Sequence, residues 1–108
     1  MKDILIDLDG VLNTYDGNYE ENNIPPIRNG AKKFLENISL KYNVVIFTTR
    51  NKNITKRWLE NNNCIHFVKK ITNKKELSFL IIDDRCLTFR GNYEDIIFQI
   101  ENFKPWYK

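Results

Sequence analysis

Four short apolar runs, each halted by polar residues, alternate along the chain with stretches whose apolar positions recur at helical spacing. Ile4–Asp7 is the first run, and its acidic end marks a strand covered on both faces. Asp16-Gly17, set between Tyr15 and Tyr19, predicts a tight hairpin, and Pro25-Pro26 stiffens the approach to a helix. In that helix Ala31, Phe34, Leu35 and Ile38 share one face, with Asn29 placed to cap it. Val44–Phe47 reads as a second strand. Residues 53–62 read as a second helix, packing through Ile54, Trp58 and Leu59. Ile65–Val68 reads as a third, shorter strand and Phe79–Ile82 as a fourth. Asn92, with Asp95 three positions on, opens a last helix that carries Tyr93, Ile96, Ile97, Ile100 and Phe103 on one face.

Apolar strands alternating with amphipathic helices imply a parallel sheet covered on both sides. With right-handed crossovers, the expected fold is a single α/β domain over residues 1–108, a three-layer, Rossmann-like, doubly wound and mainly parallel sheet. In such sheets ligands bind beyond the carboxyl ends of the strands, where the winding direction switches.

Composition narrows the class. The chain has 108 residues, 42% of them hydrophobic and 29% charged, which excludes a disordered or low-complexity polymer. No apolar run approaches the roughly 20 residues of a membrane span. The opening MKDILIDLDG is broken at once by acids and does not read as a signal peptide, so a cytoplasmic location is expected. A net charge of +3, from 17 basic and 14 acidic residues, gives nucleic acid only weak support as a partner. Cys64 and Cys86 are too few for a disulfide scaffold and read as reduced thiols.

The ends of the apolar runs carry the chemistry. The first ends in Asp7-Leu8-Asp9-Gly10, the second in Thr48-Thr49-Arg50, and the fourth in Asp83-Asp84-Arg85. Parallel strands gather these groups at one edge. A like-charge pair 4 Å apart costs roughly 4 kcal/mol at an effective dielectric of about 20, so protons or a cation must offset the crowding. Carboxylate oxygens with room for waters suit Mg2+. Asp7 as nucleophile, a hydroxyl and a nearby lysine around such an ion are equipment for phosphoryl transfer.

At these residues the sequence resembles the haloacid dehalogenase-like superfamily. Asp7-Leu8-Asp9-Gly10-Val11-Leu12 is similar to its first motif, Thr48 after Val44–Phe47 to its second, and Asp83-Asp84 after Leu80-Ile81-Ile82 to its acidic fourth. The third motif is a lysine. In the run Lys69–Lys75 the matching offset falls on Lys75, with Lys74 the alternative, although Glu76 stands where many small members have proline.

The resemblance implies a phosphatase. Asp7 would form an aspartyl phosphate, and Asp9 would act as acid and base. Gly10 would let the chain turn so that Asp9 faces the leaving oxygen. Asp7, the Asp9 carbonyl, Asp83 and Asp84 would hold Mg2+. Thr48, Thr49 and Lys75 would hold the phosphoryl oxygens. Neither usual insertion point carries a cap domain, so shielding would fall to a short flap at 11–23, to the substrate, or to a partner copy in a homo-oligomer. The substrate class implied is a phosphorylated large molecule, a nucleic-acid end, or a sugar phosphate. Arg50, Arg85 and Arg90 are placed to grip a second anionic group, with Lys74 also in range.

Other residues have plainer readings. His66 lies in a predicted strand and reads as structural, and Trp58, Phe103 and Trp106 read as packing. Two other functions use similar parts. A receiver-like signalling domain also has an acidic pair, an Asp, a Thr and a Lys, but with the pair on its first strand. A phosphate-binding module would keep the site and lack turnover.

Overall fold

Ile4, Leu5 and Ile6 are all buried, so β1 (Asp3–Asp7) is covered on both faces, as an apolar run without alternation demands. β2 (Asn43–Phe47) repeats the pattern with Val44, Val45 and Ile46. The computed structural model, which describes residues 1–108, pairs these two strands in parallel from Asp3 opposite Asn43 to Asp7 opposite Phe47. β3 (Val68–Thr72) lies outside β2 and β4 (Leu80–Ile82) outside β1. The fold is a small α/β fold with a four-stranded, wholly parallel sheet of order β3-β2-β1-β4 and three helices. From β1 the chain winds outward one way through β2 and β3, then crosses back to place β4 on the other side. The winding therefore reverses between β1 and β4.

α1 (Ala31–Ser39) and α2 (Lys52–Asn61) share one face of the sheet. Leu35 of α1 and Leu59 of α2 join Ile4, Ile6, Val44 and Ile46 in a single buried cluster. The helical face expected of α1 is the one used: Ala31 and Leu35 are buried, with Phe34 and Ile38 packed against the cluster. α2 starts at Asn51, whose side chain accepts from the N–H groups of Asn53 and Ile54. No helix is long and apolar enough to cross a membrane.

Four local expectations are corrected. The third strand is Val68–Thr72, whereas Ile65–Phe67 forms a 3-10 turn. Lys69 and Lys70 hide that strand from a hydrophobic pattern, yet they suit an edge strand, where lysine discourages further pairing. The residue ahead of α1 is Gly30 rather than Asn29. Its φ of 90° is left-handed, which glycine adopts freely, and no side chain caps the helix. Asp16-Gly17 makes no two-residue hairpin. Asp16 accepts from the Asn18 N–H in a local turn, and the flap closes much more widely, at one antiparallel bridge between Asn13 and Ile27. Finally α3 (Tyr93–Glu101), capped by Asn92 as expected, buries none of its residues and leaves Tyr93, Ile97, Phe98 and Ile100 more than half exposed.

Candidate functional site

Register brings the acids together. Ile6 pairs with Ile82, so the next residues along each strand, Asp7 and Asp83, stand side by side where the sheet reverses its winding. Asp84 follows in the turn after β4. One carboxylate oxygen from each of Asp7, Asp83 and Asp84 lies within 4.8 Å of the others. Oδ2 of Asp84 is buried with no hydrogen-bond partner. Three carboxylates this close, one with an unsatisfied oxygen, are the kind of oxygen donors a hard divalent cation takes.

Asp7 registers the crowding. Burial, and after it the charges of Asp83, Asp84 and Asp9, push its carboxyl up from 3.8 to about 8. Without a cation, burial and the neighbouring negative charges therefore favour the protonated form of Asp7. Gly10 makes the close approach to Asp84 possible. Its φ is 84°, and a Cβ there would stand 2.6 Å from Asp84 Cγ, far inside contact distance.

Asp9 is not part of this cluster. Its carboxylate accepts from Arg50 Nε at 2.9 Å and Nη2 at 3.1 Å, and from Asn13 Nδ2 at 3.0 Å. Arg50 is fully buried. Its Nη1 donates to the carbonyls of Glu20 and Glu21, and its guanidinium lies 4.5 Å from the centre of the Tyr19 ring. The expectation that Arg50 grips substrate is corrected. It is a buried clamp between Asp9 and the flap, with no face toward solvent.

The second strand delivers Thr48 buried and Thr49 exposed. Thr48 Oγ1 accepts from the Arg50 backbone N–H at 3.1 Å, which leaves its own proton for another acceptor. Lys74 and Lys75 are exposed. Lys75 reaches the cluster's surroundings electrostatically. Burial and then Asp83 push the Cys86 thiol up, while Lys75 pulls it down. Arg85 donates its backbone N–H to Asp83 Oδ1 at 2.9 Å, and its side chain turns to Tyr107. Arg90 is exposed, and the His66 ring lies tilted against that of its neighbour Phe67.

Sequence reasoning missed two contributors. The Arg50–Asp9 pair joins residues 41 apart, and the contact of Trp106 Nε1 with the Gly10 carbonyl joins residues 96 apart. Neither leaves a periodic signal in the sequence.

No protein-family profile matches the chain, and no curated protein matches it. Among solved structures it is similar to a conserved protein from Bacteroides thetaiotaomicron, with a TM-score of 0.62 and 16% identity over 97% of this chain and 93% of that one. At that identity the likeness concerns the fold alone.

Proposed function

We propose that this chain is a small, capless phosphatase of the haloacid dehalogenase-like type, a Mg2+-dependent phosphomonoester hydrolase built on a doubly wound, three-layer sheet. The reading is carried by one observation: Asp7, Asp83 and Asp84 converge at the reversal point with an unpartnered oxygen of Asp84 among them. Asp7, Asp83 and Asp84 would hold the ion, together with the Asp9 carbonyl. Bound there, Mg2+ would supply the positive charge that lets Asp7 shed its proton and that screens the incoming phosphoryl oxygens.

In the first half-reaction an Asp7 carboxylate oxygen attacks phosphorus. The ester P–O bond breaks, and Asp9 gives a proton to the departing alcohol oxygen. In the second, Asp9 takes a proton from water as the water oxygen attacks the same phosphorus. The P–O bond to Asp7 breaks and inorganic phosphate leaves. The Thr48 hydroxyl, the Thr49 side chain or backbone, and Lys75 or Lys74 would hold the equatorial oxygens. Asp9 reaches the leaving group only by exchanging its Arg50 contacts. Arg50 also holds the Glu20 and Glu21 carbonyls, so the acid and the flap would move together.

The same clamp favours a second reading, a phosphate-binding module without turnover, because Asp9 already has partners for both carboxylate oxygens. One experiment separates the two. Purified protein is assayed with Mg2+ against sugar phosphates, nucleotides, phosphopeptides and nucleic-acid 3′-ends, with Asp7→Asn as control. Turnover lost in the control supports the phosphatase, whereas Mg2+-dependent phosphate binding without turnover supports the module. Activity that survives in Asp7→Asn contradicts the nucleophile assignment.

A further inference from the structure

After α3 the chain returns to the acidic cluster, where Trp106 and Tyr107 touch the turn after β1, the flap and the turn after β4. The Lys108 N–H donates to the Pro105 carbonyl at 3.0 Å, closing a turn that presents Trp106 and Tyr107 in succession. Trp106 Nε1 donates to the carbonyl of Gly10, in the turn after β1, and the Arg28 guanidinium sits 4.2 Å from the ring centre. Tyr107 packs edge-on against Trp106 at 5.4 Å and against Tyr15 of the flap at 5.8 Å. Its hydroxyl takes hydrogen bonds from Arg85 Nε at 3.2 Å and Nη2 at 3.0 Å.

Arg85 is thus fixed at both ends. Its backbone N–H is tied to Asp83, and two of its guanidinium nitrogens are tied to one phenol oxygen. Its Nη1 remains unclaimed on an exposed side chain next to Asp84. A guanidinium is well suited to phosphate oxygens, and one already oriented loses less freedom on binding than a loose one.

We propose that Tyr107 is a positioning residue that aims Arg85 at the phosphoryl group of the substrate, with Trp106 holding the segment against the turn after β1. This rests on the reading of the acidic cluster as a phosphoryl site. The segment does part of what a cap would do. It walls one side of the cluster with aromatic rings and presents a fixed cation there.

The test uses inorganic phosphate as probe, titrated calorimetrically into the full chain in excess Mg2+, with Mg2+ titrated alone in parallel. Tyr107→Phe keeps the ring and its edge-on contacts, so the fold is retained. It is expected to weaken phosphate about tenfold, and Mg2+ by less than that because the hydroxyl also lies beside Asp84, while leaving the thermal midpoint unchanged. Arg85→Lys keeps the charge without the fork and is expected to show the same loss. Combining Tyr107→Phe with Arg85→Ala is expected to weaken phosphate no further than Arg85→Ala alone. Phosphate affinity unchanged in Tyr107→Phe, or independent effects in the double variant, would overturn the positioning role while the phosphoryl site stands. A wild-type chain that binds no phosphate in Mg2+ would overturn both.

Discussion

Arg50 shows how much a single buried cation can organise. It joins the acid after β1 to two flap carbonyls, and its own backbone N–H is held by Thr48. Removing it leaves the Asp9 carboxylate, only 17% exposed, without its counter-charge. Arg50→Ala should therefore lower unfolding stability by about 3–5 kcal/mol, measured by urea denaturation. Arg50→Lys should recover only part, because lysine has no fork to span Asp9 and the flap. An Arg50→Ala protein as stable as wild type would remove the clamp from the account. Asp7 predicts a pH signature. In the ion-free protein its folded-state value of about 8 lies above the ordinary 3.8, so the folded chain holds a proton that the unfolded chain releases. The stability this group contributes is full below about pH 4 and is lost as pH rises toward 8. Asp7→Asn should abolish that slope, and Mg2+ at pH 8 should restore wild type but not the variant. Parallel urea midpoints for the two proteins between pH 5 and pH 8.5 would contradict it. Asp7, Asp83 and Asp84 were legible because each ends an apolar run, and a run's end is visible locally. The partner of Asp9 was not, because an arginine three residues past a strand looks the same whether it faces solvent or is buried.

Among the elements, β1, β2, α1 and α2 follow from pattern alone: uninterrupted Ile, Leu and Val for the strands and a 3.6-residue period for the helices. The apolar pattern places the third strand three residues early because Lys69-Lys70 interrupts its signal, and an edge position tolerates what a central strand would not. α3 has the caps and periodicity of a packed helix, yet its apolar side chains stand in solvent. Periodicity states which face a helix can bury and is silent on whether anything lies opposite. Helix formation with so little tertiary support is marginal at this length. Amide hydrogen exchange should therefore run at least a hundredfold faster in 93–101 than in 44–46, where neighbours on both sides close the ladder. Equal protection of the two segments would show that α3 is packed in solution.

Over the whole molecule, connectivity decides what the local chemistry can become. Crossing from β3 back to β4 sets two acid-bearing strand ends next to each other at the one point where the winding reverses. The same path returns Trp106 and Tyr107 to that edge from 96 residues away. The sheet class followed from the order of strands and helices, whereas this return did not, because no rule of local sequence fixes where a segment after the last helix comes to rest. A net charge of +3 coexists with a concentrated negative centre, so the overall balance says nothing about this edge. The most direct measurement is calorimetric titration of Mg2+ into the wild-type chain and into Asp7→Asn, Asp83→Asn and Asp84→Asn. The account predicts one ion per wild-type chain and at least a tenfold loss of affinity in every variant. Equal Mg2+ binding across the four proteins, or none by the wild type at millimolar ion, would contradict it.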